Sequence, residues 1–373
     1  MIVKEGLVRL KIPKDYQKKK HFFNPKMELA RDLTVLILKT LDARNWVVCD
    51  ALSGIGARGI RIAKECNIKV WLNDVSEDVR PFLKKNIELN NVKQKVKIIN
   101  QDANQLLSSN RGIFNYIDID PFGSPCYYFD SCARSVKRKG LVAFTATDTA
   151  PLAGTNPMTC MRRYGVKSFK TDFFKELGLR VLITSIVLSF SKWSLTFKPL
   201  LSYSSEHYYR VWGRVEKGKV KVNKTIDKNF RYVNYCPKCL WRKVDKKPVT
   251  KCGFCGSGSQ TIGKVWLGDI EDIKFIQKCQ KKLSNLDWLK TKDKIEKLLN
   301  LLKNESIPLY YDVHKLCQKH EMEIPKFRAI IERLEDRGYK VGRTHFSNKG
   351  IKTDASVKDL IEKNLTEIKP KLS

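Results

Sequence analysis

The chain is short of acidic residues. Among its 373 residues, 39 Asp and Glu stand against 72 Lys and Arg, a formal net charge of +33. That imbalance exceeds what solubility requires and points to a polyanionic partner, nucleic acid first. Long apolar runs are also lacking: none reaches the roughly eighteen residues needed to cross a bilayer. The nearest approach, LRVLITSIVLSF at 179–190, carries Arg180 near its start and is expected to be a buried helix. The opening MIVKEGLVRL lacks the apolar stretch of a secretory signal. The eleven cysteines are odd in number and not spaced as a secreted disulfide framework, which fits a reducing, cytoplasmic setting. Internal repeats are absent, and none of the five histidines has a spacing that demands a metal. His21 is the one placed to contact RNA. Nothing in the sequence calls for an obligate protein partner or a membrane.

What is present is alternation. From residue 46, strand-like runs (WVVCDAL, VWLND, VKIINQ, FNYIDID, GLVAFTATD) alternate with helical ones at short spacing. The pattern predicts an α/β fold, a mostly parallel sheet with helices on both faces. SLTFKPLLSYSSEHYYRVWGRVEK reads as a hairpin that adds an antiparallel edge. Before this region, residues 1–45 read as a basic extended segment and an amphipathic helix that cap an entrance. After it, 217–373 is strongly basic and helical, with a cysteine-rich insert at 232–262. It ends in two short helices and a basic hairpin that look like a winged-helix arrangement. The expected division is therefore 1–45, 46–216 and 217–373.

Within DALSGIGARGIR, Gly54, Gly56 and Gly59 match GxGxxG at a strand-to-helix turn, where glycine lets a ligand approach the helix N-terminus. Asp74 ends the next strand, where a carboxylate can take both ribose hydroxyls. NAD and S-adenosylmethionine both satisfy this arrangement. Arg58 and Arg31 favour the latter, because a guanidinium can bind its free carboxylate through two parallel hydrogen bonds. Asp102, at the end of the third strand, is placed to hold an adenine amino group, with Ala103 lining the ring.

YIDIDPFGSP then falls at the end of the fourth strand, on the ligand-binding edge. An exocyclic base amine is a poor nucleophile because its lone pair is delocalised. The Asp120 carboxylate and the Pro121 carbonyl can accept its two N–H bonds, while Phe122 offers a face on which a flipped base stacks. Cys126 follows Pro125 and admits a covalent pyrimidine mechanism, but it comes six residues after Asp120 and reads better as a small apolar side chain. Cys236, Cys239, Cys252 and Cys255 form CxxC, twelve residues, CxxC. Two such knuckles close a tetrahedral structural Zn²⁺ site, and the surrounding lysines and arginines would present charge to RNA.

DPFGSP at this place, with HFFNPKMELARD, DALSGIGARGIR, WLNDVSED, GLVAFTATDTAPLAG and RTHFSNKGIKTDA, resembles the tRNA (guanine-26-N2)-dimethyltransferase family over nearly the whole chain. The resemblance implies a Rossmann-like class I methyltransferase domain, S-adenosylmethionine as cofactor, tRNA as substrate and a dimethylated product. It implies that Asp120 and Phe122 hold the target guanine, with Phe22 or the adjacent Phe23 stacking on it. Arg31, Arg58, Asp74, Asp102 and Ala103 would hold the cofactor. The acid-to-aromatic spacing is one residue shorter than the Asp-Pro-Pro-Tyr motif of other amine methyltransferases. Two rival readings are an NAD-linked oxidoreductase, which leaves DPFGSP and the charge unexplained, and a zinc-containing RNA-binding protein without catalysis.

Overall fold

The computed structural model describes residues 1–15, 18, 23–205, 207–303 and 305–361. Phe22 and His21 lie outside the described residues. The first strands, β1 (Ile2–Glu5) and β2 (Val8–Lys11), pair as an antiparallel hairpin where the sequence suggested only an extended segment. Gly6, at φ +55°, makes the turn. The hairpin is pinned from elsewhere: the backbone N–H groups of Arg9 and Lys11 donate to the Asn90 and Asn86 side chains. Helix α1 (Glu28–Thr40) follows.

A seven-stranded sheet is built from β3 (Val47–Asp50), β4 (Lys69–Asn73), β5 (Val96–Ile99), β6 (Phe114–Ile119), β7 (Val136–Ala146), β8 (Leu195–Ser204) and β9 (Tyr209–Lys217), in the order β5-β4-β3-β6-β7-β9-β8. The first five run parallel, and β9 and β8 add the expected antiparallel edge. The crossovers are α2 (Ala57–Glu65), α3 (Arg80–Leu89), α4 (Ala103–Ser109) and α5 (Phe129–Ser135). Because β6 is covered on both faces, Tyr116, Ile117 and Ile119 are fully buried, and so is Asp118. The order changes direction between β3 and β6, so the crevice for a ligand lies outside the carboxyl ends of these two strands.

After β7 come α6 (Thr149–Leu152), α7 (Pro157–Tyr164) and α8 (Phe174–Ser191). The last contains the apolar run at 179–190 and is buried, with Arg180 paired to Glu176 at 2.8 Å. No helix among the described residues is long and apolar enough to cross a membrane. Beyond the sheet, β10 (Phe230–Tyr235), β11 (Arg242–Asp245) and β12 (Gln260–Trp266) form a small antiparallel sheet under the cysteine insert. A final β-α-α-β-β unit spans Tyr311–Thr353, its strands ordered β13 (Tyr311–Asp312), β15 (Gly350–Thr353), β14 (Val341–Arg343), as a winged-helix arrangement requires.

Residues 45 and 216 bound the sheet but do not separate cores. One apolar cluster joins Phe144, Phe197 and Val211 of the sheet to Val233, Ile262 and Ile351 beyond it. Another joins Leu36 of α1 and Val70 of β4 to Ile276 and Leu299 in the helices Ile273–Leu283 and Lys292–Leu302.

Candidate active site

The turn between β3 and α2 is possible because Gly54 and Gly56 adopt left-handed backbone, φ +52° and +83°. Gly59 serves packing: a Cβ there would lie 2.1 Å from Leu72 of β4. The turn presents its Gly54 N–H to Asp74 Oδ2 at 2.8 Å, and Ser76 N–H holds Oδ1 at 3.0 Å. Asp74 is therefore fixed, half-buried, on the wall of a cavity of about 360 Å³ at the carboxyl edge of the sheet. Asp50, Gly54, Arg58, Arg31, Phe23, Tyr128, Asp120, Pro121 and Phe122 line the same cavity.

Asp102 and Ala103 do not line it. The third strand ends at Ile99, and Asp102 caps α4 by accepting from Gln105 N–H at 3.0 Å, with Ala103 buried as the first helical residue. Burial, then the Asp102 and Asp74 carboxylates, raise the Tyr128 phenol above its usual range.

Both arginines line the cavity with their forks already engaged. Arg31 gives Nε and Nη2 to the Glu5 carboxylate at 2.6 Å each, and reaches the Asn24 carbonyl at 3.2 Å. Its guanidinium lies 5.2 Å from the centre of the Phe23 ring, which lines the cavity and is 7 % exposed. Arg58 donates Nη1 to Asp118 at 2.7 Å and Nη2 to Asp120 at 2.5 Å. Behind it, Arg210 donates to Asp118 and to Thr145 Oγ1, and the Tyr116 hydroxyl donates to Asp118.

The result is a cluster of two cations, Arg58 and Arg210, with three acids: Asp50 and Asp118 are buried, and Asp120, its side chain 17 % exposed, closes the cluster on the cavity side. Burial disfavours charge on Asp120, but Arg58 and Arg210 outweigh it and hold the carboxyl below its ordinary value. The third acid is in surplus. Burial, only partly relieved by Arg58 and reinforced by Asp118 and Asp120, pushes Asp50 up to about 7. It accepts from Gly59 N–H at 3.0 Å. Asp50, Asp118, Arg210, Tyr116 and Tyr128 were not singled out from sequence. For Asp50 a signal was available, an acid closing the strand that feeds the glycine turn.

Asp120 opens the loop to Pro125, which is fastened to the end of β7. Gly123, at φ +91°, donates to Thr147 Oγ1 at 2.6 Å and accepts from Thr147 N–H at 3.0 Å. Ser124 Oγ donates to the Tyr164 hydroxyl, which donates to Asp148. Phe122 is thereby presented at the cavity mouth, 64 % exposed. Cys126 sits in a one-turn helix, half-buried, its thiol raised by that burial, as suits a packing residue and not a nucleophile.

The chain matches the family model for N2,N2-dimethylguanosine tRNA methyltransferase over residues 6–364. It belongs to that family. A relative from Methanobrevibacter smithii, a tRNA (guanine(26)-N(2))-dimethyltransferase, is 37 % identical over 96 % of both chains. One from Pyrococcus horikoshii with the same name is 35 % identical over 96 % of this chain and 97 % of its own. A solved structure of Trm1 from Pyrococcus horikoshii, in complex with S-adenosyl-L-methionine, superposes with a TM-score of 0.88 at 35 % identity, covering 97 % of this chain and 99 % of that one. The seven-stranded sheet is thus the methyltransferase fold of this family.

In the insert, the four sulfurs of Cys236, Cys239, Cys252 and Cys255 lie within 4.8 Å of one another. Cys236 and Cys255 are 3.7 Å apart and Cys239 and Cys252 3.5 Å, and Cys252 Sγ accepts from the Phe254 and Cys255 N–H groups. None of the eleven cysteines is in a disulfide. Of the described histidines, His345 bridges Glu305 and Ser204 N–H, His320 contacts the Cys239 carbonyl, His314 stacks on Phe327 and His207 meets Lys26. These are structural and surface positions.

Proposed function

We propose that this chain transfers methyl groups from S-adenosylmethionine to the N2 amine of guanosine 26 in tRNA, twice. The observation that carries the reading is the Asp120 carboxylate, held by Arg58 at 2.5 Å on the cavity wall beside the exposed ring of Phe122. The donor set fits the cofactor: Asp74 is aimed by two backbone N–H groups and the cavity wall carries Arg31, Arg58 and Asp50. The ribose is assigned to Asp74, the adenine to the side of Asp102, Ala103 and Tyr128, and the methionine end to the Arg31 and Arg58 side next to Gly54 and Gly56. Bound there, S-adenosylmethionine supplies an electrophilic methyl on a sulfonium.

The chain's own residues do the rest. A guanine leaves its stack and lies on Phe122, with an N-terminal aromatic, Phe22 or Phe23, assigned to its other face. Asp120 and the Pro121 carbonyl accept the two N2 hydrogens, fix the amine and stabilise the positive charge that develops as nitrogen is alkylated. The proton then leaves through the Asp120 side. One hydrogen remains after the first transfer, so the same contacts permit a second. This division of labour makes 1–45 the entrance, 46–216 the catalytic region and 217–373 the basic grip on tRNA.

The cysteine cluster suits structural zinc. A tetrahedron of Zn–S bonds near 2.3 Å separates sulfurs by about 3.8 Å, and the observed pairs are 3.5 and 3.7 Å. With four thiolates and no open position, the metal would shape the insert and take no part in transfer.

The test is incubation of the full chain with labelled S-adenosylmethionine and an unmodified tRNA transcript, followed by nucleoside analysis. N2-methyl- and N2,N2-dimethylguanosine are expected. Label confined to a ring nitrogen, or none, would overturn the reading.

A further inference from the structure

The segment that follows β7 leads away from the same carboxyl edge of the sheet that holds the site. From 149 to 171 it contains four cations, Arg162, Arg163, Lys167 and Lys170, and no acid. Its central helix α7 is tied to the catalytic loop at two points. Tyr164 accepts from Ser124 Oγ at 2.7 Å, and Arg163, paired to Asp148 at 3.0 Å, also interacts with the Tyr127 hydroxyl. The helix buries Cys160 and Tyr164 and turns the opposite side outward. That side carries Met158, 68 % exposed, Met161, 48 % exposed, and Arg162, while Tyr127, 63 % exposed, stands by Arg163 on the flank of the helix. Large apolar side chains left in solvent and interleaved with cations suit a surface that stacks bases and neutralises phosphates.

We propose that Tyr127 and the outer face of α7 form a platform for the RNA strand flanking the extruded guanosine. The inference rests on the function proposed above. Extrusion of one nucleotide leaves its neighbours unstacked. Tyr127, Met158 and Met161 supply apolar surface for them, and Arg162 supplies charge to the adjoining phosphates. The occupant is RNA and not an acidic protein because an exposed aromatic ring, Tyr127, follows the base-binding loop directly, and exposed methionines with a cation sit on a helix tied to that loop through Tyr164, in a segment with four cations and no acid. The catalytic region therefore contributes to substrate affinity through more than the single-base pocket.

The full chain carrying Tyr127→Ala, Met158→Ala with Met161→Ala, or Arg162→Ala is compared with wild type and Asp120→Ala in tRNA methylation at several salt concentrations. Each platform variant is expected to raise KM for tRNA, by about fivefold or more for Tyr127→Ala, which removes an aromatic stacking partner, with kcat and the Kd for S-adenosylmethionine unchanged. Arg162→Ala should also reduce the slope of log KM against log salt by about one, whereas Tyr127→Ala should leave it as it was. An unchanged KM in all three, with wild type active and Asp120→Ala inactive, would overturn the platform and leave the methyltransferase reading standing. A wild type that leaves tRNA unmethylated would overturn both.

Discussion

Arg58 Nη2 lies 2.5 Å from Asp120 Oδ2, while Nη1 of the same guanidinium holds Asp118. A residue read from sequence as a cofactor ligand is thus also the support of the proposed catalytic acid. Removing it leaves Asp120 without its paired guanidinium and Asp118 with Arg210 alone, and breaking a buried pair costs up to about 3–5 kcal/mol. Arg58→Ala should lower the denaturant midpoint accordingly, and Arg58→Lys should recover only part of the loss, since an ammonium cannot bridge both acids in the plane of a fork. Midpoints equal to wild type for both variants would show that the bridge contributes nothing.

Asp120 is ionised across the working range because its carboxyl is held below the ordinary value. Asp120→Asn should therefore slow methyl transfer by about 10²–10⁴-fold, and by the same factor at every pH from about 5.5 to 8. For a depressed carboxylate the stabilising charge is lost only as pH falls through the folded value, below this window. A wild-type to variant ratio that shrank toward the acid end would show Asp120 titrating there.

Asp50 behaves in the opposite sense. Its pKa is raised to about 7, so its stabilising contribution is complete below the unfolded value and lost as pH rises through the folded one. It also lines the cavity, where a bound sulfonium would favour the carboxylate and expel the proton. Binding of S-adenosylmethionine should tighten as pH rises from about 6 to 8, and calorimetry in buffers of different ionisation enthalpy should detect proton release. Asp50→Asn should flatten the added pH dependence. Identical pH profiles for variant and wild type would contradict the linkage.

Zinc removal should act on the insert and not on the cofactor site. Cys252→Ser, or chelation, is expected to unfold the loops around residues 236–255 and lower thermal stability, because ligand binding and local folding are coupled. Protein free of metal in elemental analysis would remove zinc from the account.

The sheet was legible because its strands alternate with helices and each ends in a recognisable turn. The cysteine cluster was legible because four thiols at CxxC spacing have few other uses. What stayed hidden depends on partners far apart in the chain. Asp118 looks like one more acid in a strand until β9 places Arg210 against it, 92 residues on. Arg31 looks available until the β1–β2 hairpin brings Glu5 to it, and that hairpin is positioned by Asn86 of α3 and Asn90 just past its end. The boundary at 216 falls at the end of β9, the last strand of the sheet in chain order, but apolar side chains on both sides of it share cores, which no local composition change reveals.

The central claim is that the loop from Asp120 to Phe122 presents an exocyclic amine to the methyl donor. It is tested most directly by comparing two otherwise identical tRNA transcripts, one with guanosine and one with inosine at position 26, inosine lacking only the N2 amine. Single-turnover transfer with the full chain should label the guanosine transcript, while the inosine transcript should bind comparably and take no methyl. Methylation of inosine 26, or equal labelling of the two transcripts, would contradict the account.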